Sequence, residues 1–248
     1  MASSAPSGQL SGGVRGANSV RGFDPRDLPV LPTSSEELGL PAIAHECLQP
    51  ERLVERFREP RVDWQPEIIS DQRAGDQASA RAAAVLVPIV SHAAGVDVLL
   101  TVRPDHLRAH AGQIAFPGGA VEAHDDDRLA TALREAEEEV GLEIDRSQVI
   151  GQLPAYRTGT GFEVTPVVAV IDAPLQLTID PNEVAETFEV PLAFLMDPRQ
   201  HRRHQWGSEP NSRIFYSMPW RRDSDNAEFF IWGVTAAILR NLYHFLRA

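Results

Sequence analysis

Gly118-Gly119-Ala120-Val121-Glu122, followed by Arg134-Glu135-Ala136-Glu137-Glu138-Glu139-Val140-Gly141-Leu142, is the stretch on which the reading of this chain turns. Apolar residues at Leu129, Ala132, Leu133, Ala136 and Val140 recur at helical spacing, and Gly141 supplies a stop. The pattern predicts a helix from Asp127 to Val140. Successive residues turn by about 100° around a helix, so Glu135 and Glu139 stack one turn apart with Glu138 beside them. The apolar stripe lies roughly opposite. Like charges at this spacing destabilise an isolated helix, so a cation would offset a real cost. Mg²⁺ and Mn²⁺ prefer oxygen ligands and bridge carboxylates to phosphates. The Gly118-Gly119 turn lets backbone approach such a ligand, and Arg134 can orient a Glu through a charge-assisted bond. The competing reading is a plain solvated acidic face.

Working outward, Ala83 to Val90 and Val96 to Val102 read as strands joined by a turn at Ala94-Gly95. Arg103 to Gly112 is polar and irregular. Val149 to Leu153 and Val164 to Ile171 are further strands, and Pro166 points to an edge or a bulge in the second. Arg213 to Tyr216 and Glu228 to Trp232 follow, and an apolar helix from Val234 to Leu246 closes the pattern. Mixed strands with two core helices imply an α/β sandwich. Upstream, residues 1–40 are rich in Ser, Gly and Pro and read as a flexible tail. Residues 41–79 read as a helical extension, with an amphipathic helix from Pro50 to Glu59 and a polar connection from Gln72 to Gln77.

Gly119-x₅-Asp125 and Arg134-Glu135-x-x-Glu138-Glu139-x-Gly141-Leu142 resemble the Nudix box of the Nudix hydrolases, normally Gly-x₅-Glu-x₇-Arg-Glu-U-x-Glu-Glu-x-Gly-U with U a bulky aliphatic residue. The chain departs twice from that pattern. Its first acid is Asp125, with eight residues between it and Arg134, or Asp126, with seven between, and position 136 is Ala. Leu99-Leu100-Thr101-Val102-Arg103 and Leu107-Arg108-x-His110-x-Gly112-Gln113-x-x-Phe116-Pro117-Gly118-Gly119 are similar to the segment that precedes the box in the coenzyme A diphosphatase branch. The resemblance runs on through Asn182-Glu183-Val184 and Val190-Pro191-Leu192 to Trp232-Gly233-Val234-Thr235, covering about residues 80 to 246.

This resemblance implies an α/β/α sandwich with a mixed β-sheet over residues 80–248, and a hydrolase that uses Mg²⁺ or Mn²⁺ to cleave a nucleoside diphosphate linked to another group. It implies metal binding by Glu135 and Glu139 first and then Glu138, with Glu122 a weaker candidate further out. Glu138 and Arg134 also count as catalytic candidates. A further Glu after the box, here Glu183 or Glu186, is implied as base or extra ligand, though each is equally readable as a solvated loop acid. Arg103 and Arg108 are implied to grip phosphates, with Gly118 and Gly119 presenting backbone to the substrate. The implied substrate is coenzyme A or an acyl-CoA, cleaved to 3′,5′-ADP and 4′-phosphopantetheine or its acyl form. The alternatives are a Nudix diphosphatase for ADP-ribose, dinucleotides or modified nucleotides, and a non-catalytic domain that senses a nucleotide.

Composition narrows the field. The net charge of −12 over 248 residues argues against sequence-independent nucleic-acid binding. No run of about eighteen apolar residues exists to span a membrane, and the amino terminus lacks a secretory pattern. A lone Cys47 suits a reducing cytoplasm, and a homodimer is a possible partner arrangement. Lysine is absent, all 23 basic residues being Arg, so no Schiff-base or P-loop lysine is available. His110 reads as bonding loop backbone, His201 and His204 as part of a polar loop rather than a zinc site, and Trp206, Trp220 and Trp232 as core or rim.

Overall fold

The run Ala83 to Val90 has no polar face to offer solvent, and the strand it forms is covered on both sides. The computed structural model describes residues 24–59, 64–67, 80–107, 112–207 and 212–248. In chain order its elements are α1 (Ser35–Leu38), α2 (Pro50–Arg58), β1 (Arg81–His92), β2 (Gly95–Val102), β3 (Ile114–Ala115), β4 (Gly118–Ala120) and α3 (Arg128–Val140). Then come β5 (Val149–Gln152), β6 (Tyr156–Arg157), β7 (Phe162–Asp172), β8 (Glu186–Pro191), α4 (Leu192–Leu195), β9 (Arg202–Trp206), β10 (Arg213–Arg221), β11 (Glu228–Trp232) and α5 (Gly233–Arg247).

Eight strands make one mixed sheet ordered β3-β2-β1-β7-β5, with β4 added to β1, β6 to β7 and β8 to β2. β1 and β7 run parallel and the other pairs antiparallel. Alternation along β1 sends Ala84, Leu86 and Val90 to the face covered by Ala132, Ala136 and Val140 of α3. Ala83, Val87 and Ile89 point the other way, into a core shared with Leu53 of α2 and Ile238, Leu239 and Leu242 of α5. A strand buried on both faces has to be apolar throughout. The result is a mixed sheet with flanking helices, as expected, with a second sheet (β11-β10-β9) added beside α5.

Four local expectations change. The β1–β2 turn is Ala93-Ala94, because Gly95 is already paired with His92. Pro166 lies in an interior strand, not at an edge: β7 is flanked by β1 on one side and by β5 and β6 on the other. Its carbonyl accepts the Leu153 N–H at 3.0 Å, so its missing N–H faces the gap where pairing passes from β5 to β6. The bulge is in β5, between Val149 and Gly151. Residues 24–40, expected to belong to the flexible tail, are tied down. Val30 bridges to His204, the Leu31 N–H donates to the Arg203 carbonyl at 2.7 Å, and Glu37 of α1 meets Arg203 at 3.2 Å. His201 and His204, expected in a polar loop, are buried: His204 is in β9 and bonds Ser217 at 2.8 Å, while His201 bonds the Leu195 carbonyl at 2.7 Å. Residues 1–23 and the connection from Gln72 to Gln77 lie outside the described residues.

Candidate active site

Both ends of α3 are set by local chemistry. Asp127 caps the start by accepting the Ala130 N–H at 2.6 Å. Gly141 ends it in the left-handed conformation (φ 66°). A β-carbon at Gly141 would lie 2.9 Å from the Thr178 nitrogen, so the glycine also lets the chain after β7 close on the helix end. There the Thr178 N–H donates to the Val140 carbonyl at 2.8 Å and the Asp180 N–H to the Glu139 carbonyl at 2.9 Å. Glu183 N–H and Val184 N–H turn back onto the Asp180 carbonyl, and Ala185 N–H donates to the carbonyl of Val102, one residue before Arg103. These bonds bring Glu183 to the helix.

Arg134 organises the carboxylates. Its Nε and Nη2 donate to the two oxygens of Asp125 at 2.9 and 3.0 Å. Its Nη1 reaches Glu138 at 2.8 Å and Glu135 at 2.9 Å. Asp125 also accepts from Thr131 Oγ1 at 2.8 Å and from the Glu122 N–H at 2.9 Å, and its side chain is only 2% exposed. The Arg134 guanidinium, with these donors, holds the Asp125 carboxyl far below the usual range, and Asp125 in turn pushes Arg134 up. Of the two candidates for first acid, Asp125 is therefore the one that meets Arg134. The extra residue in the box is absorbed in the turn before α3.

Glu139 is 3% exposed. Burial pushes its pKa up to about 8, with repulsion from Glu135 and Glu183 adding to it, while Arg103 and a bond from the Gly118 N–H oppose. Burial likewise raises Glu135, against the pull of Arg134, with Glu138 and Glu183 adding repulsion. Glu135 lies directly on Gly119, where a β-carbon would sit 2.6 Å from its carboxyl carbon. Gly118 lies on β1, where a β-carbon would be 2.5 Å from the Ala84 carbonyl oxygen. The two glycines thus do different work: the first lets β4 pack against β1, the second leaves room for a carboxylate.

Glu135, Glu139, Glu183 and Arg103 are brought together. Glu138 is not part of that group; its side chain is 59% exposed and swings out to Arg134. Glu186 pairs with Arg222 of β10 at 2.8 Å, and Glu122 is 57% exposed with His124 3.6 Å away. Arg103 Nε is buried with no hydrogen-bond partner among the described residues. Arg108 and His110 lie outside the described residues. Trp206 is exposed, and Trp220 stacks on Phe188. Asp125 as the partner of Arg134, and Arg222 as the partner of Glu186, were beyond sequence reasoning; for the first, the only signal was an acid about one turn-plus-helix-start ahead of Arg134.

The donor set suits a hard dication. A buried carboxylate (Glu139) and a half-buried one (Glu135) lie side by side with a third near them, all offering oxygen, and the nearby guanidinium charge leaves both still raised in pKa. Mg²⁺ or Mn²⁺ matches such oxygen ligands.

A glycine-rich strand, β4, paired with β1 and followed by a helix whose Arg and Glu residues crowd one end of a mixed sheet, defines a Nudix hydrolase. The NUDIX domain family matches residues 80–211, and the chain belongs to that family. Among its relatives is the "Uncharacterized Nudix hydrolase NudL" of Citrobacter koseri, 41% identical over 177 residues, which are 71% of this chain and 88% of that protein. The protein of the same description from Escherichia coli O7:K1 is 44% identical over 163 residues, 65% of this chain and 81% of its own. Of solved structures, the MutT protein of Methanosarcina mazei aligns over 48% of this chain and 83% of its own at 22% identity and a TM-score of 0.39. Among the described residues no helix is long and apolar enough to cross a membrane.

Proposed function

We propose that this Nudix hydrolase cleaves the diphosphate bond of coenzyme A or its thioesters, giving 3′,5′-ADP and 4′-phosphopantetheine or its acyl form. The observation that carries the reading is that Arg103, Glu135 and Glu183 all bear on the buried Glu139 carboxyl beneath Gly118 and Gly119. Arg103 belongs to the Leu99–Phe116 lead-in that is similar to the coenzyme A diphosphatase branch, and that lead-in supports the substrate.

Glu135 and Glu139 would hold Mg²⁺ or Mn²⁺, with Glu138 a further ligand once it leaves Arg134. Such an ion, when bound, neutralises diphosphate charge and lowers the pKa of bound water. The remaining chemistry belongs to the chain. Arg103, whose buried Nε has no hydrogen-bond partner among the described residues, would donate to a phosphate oxygen. Glu183, exposed and near both Glu135 and Glu139, would be the loop acid that takes a proton from water, because Glu186 is engaged by Arg222. Arg134 acts through others, holding Glu135 and Glu138 in place from the anchor of Asp125.

The purified chain with Mg²⁺ is expected to release 3′,5′-ADP from coenzyme A, in preference to dephospho-CoA, NADH, ADP-ribose and dNTPs assayed alongside. Glu139→Gln is expected to abolish that release. Absence of coenzyme A turnover at every Mg²⁺ and Mn²⁺ concentration would overturn the substrate assignment.

A further inference from the structure

At the opposite end of the sheet from the α3 glutamates, three side chains with metal-ligating atoms converge. His92 closes β1, Asp97 lies near the start of β2, and Glu189 lies in β8. The register explains the meeting. Asp97 pairs with Val90, two residues before His92, and Glu189 pairs with Leu99, two residues after Asp97. Side chains two apart share a face, so each pair is a diagonal neighbour across a ladder. His92 Nε2 is 2.5 Å from Glu189 Oε2 and 3.8 Å from Asp97 Oδ2. The ligand atoms all lie within 4.8 Å of one another, and no other such group of three occurs among the described residues.

A histidine-carboxylate ion pair explains two of these side chains but not the third. Even with His92 protonated, the trio keeps a net negative charge. Burial holds the Asp97 carboxyl above its ordinary value, with Glu189 adding repulsion and His92 opposing. Each side chain is nonetheless about a third open, at 33%, 30% and 28% exposure. A cleft of about 400 Å³ opens beside them, lined by His92 and Asp97 together with His45, Gln49, Pro191 and Ala193.

We propose that His92, Asp97 and Glu189 form a second divalent-cation site, for Zn²⁺, with its open coordination positions toward this cleft. One imidazole and two carboxylates favour Zn²⁺ over Mg²⁺, which demands oxygen. Ligand atoms about 2.0–2.1 Å from a tetrahedral Zn²⁺ stand roughly 3.3 Å from one another. His92 and Glu189 therefore separate by less than about 1 Å, and His92 and Asp97 close by about half that, movements within reach of side-chain torsions. Ala84, under the glycine turn, is eight residues back along β1 from His92, about 26 Å at about 3.3 Å per residue. The site is thus independent of the diphosphate chemistry and of the function proposed above.

The test uses the full chain carrying Glu135→Gln and Glu139→Gln, which silences the α3 site. Calorimetric titration with Zn²⁺, paralleled by the visible absorption of Co²⁺, is expected to show one bound equivalent. Adding His92→Ala is expected to remove it or weaken it at least ~100-fold, beyond what loss of an outer-shell partner does. Asp97→Asn, which preserves the His92–Glu189 pair, carries the same expectation and serves if His92→Ala does not fold. In the chain with Glu135 and Glu139 intact, His92→Ala should leave Mg²⁺-supported hydrolysis unchanged. No bound equivalent in the silenced chain, or one that survives both His92→Ala and Asp97→Asn, overturns the proposal and leaves an ion pair only.

Discussion

Glu139→Gln is expected to stabilise the metal-free protein at alkaline pH while leaving its stability at acidic pH unchanged. Glu139 is 3% exposed, and burial pushes its carboxyl from 4.5 up to about 8. Between those values the folded protein holds a proton that the unfolded chain has released. Stability is therefore fully supported below about pH 4.5, falls as pH rises, and levels off above about pH 8. A displacement of about 3.5 units at about 1.36 kcal/mol each sets a ceiling near 5 kcal/mol. Arg103 beside the carboxylate is already counted in that displacement, but water entering past exposed Glu183 raises the effective dielectric, and about 1–3 kcal/mol is the expected size. Gln is nearly isosteric with protonated Glu, so only the charged form is removed. The assay is urea denaturation in chelator at pH 4, 7 and 9 for both proteins. The curves should nearly coincide at pH 4 and part by about 1–3 kcal/mol at pH 9 in favour of the variant. Adding Mg²⁺ should narrow the gap, since it stabilises the parent far more. Equal stabilities at pH 9, or a less stable variant there, would refute the reasoning.

The two glycines of the turn should fail differently. Gly118→Ala drives a β-carbon into the backbone of β1, 2.5 Å from the Ala84 oxygen and 2.6 Å from the Val85 α-carbon, and should lower stability by about 1–3 kcal/mol in thermal unfolding. Gly119→Ala meets only the carboxyl end of Glu135; stability should move by less than about 1 kcal/mol while kcat falls on the order of 100-fold, because a reacting group is displaced. Arg134→Gln leaves Asp125 buried without its guanidinium and should cost about 3–5 kcal/mol. Asp125→Asn in the same chain should recover part of that, as a positive coupling in a double-mutant cycle. His201 is held at about 4 by burial, with Arg240 adding to the effect, below its usual 6.5. It contributes stability above about pH 6.5 that is lost as pH falls through about 4, so His201→Gln should flatten the acid limb of a denaturation-versus-pH series.

Where one element's own pattern carries the information, the chain was legible before folding. The stripe Leu129-Ala132-Leu133-Ala136-Val140 and the cap at Gly141 place α3 and divide its faces, because a helix repeats every 3.6 residues whatever surrounds it. The apolar run of β1 from Ala83 to Val90 likewise declares a buried strand, whereas Pro166 pointed β7 to an edge that it does not occupy. The β9 strand did not declare itself: Arg202, Arg203 and His204 look like solvated loop until Val30, Ser217 and the Leu28 carbonyl come to meet them.

By itself, then, the sequence determined the Nudix box, its helix and which glutamates share the helix side away from the apolar stripe. Only the tertiary structure decided which acids share a site. Asp125 rather than Asp126 takes Arg134, since the turn before α3 aims one carboxylate inward. Glu183 rather than Glu186 joins Glu135 and Glu139, since the Asp180 turn and β8 send two acids three residues apart to different partners. Glu138 leans outward onto Arg134 although it lies between two inward-facing neighbours in the motif. Spacing along a chain states which residues can share a face of one element. Charge pairing across elements depends on contacts between segments far apart in sequence, such as Glu186 with Arg222 or His92 with Glu189, and those exist only once the sheet has closed its register.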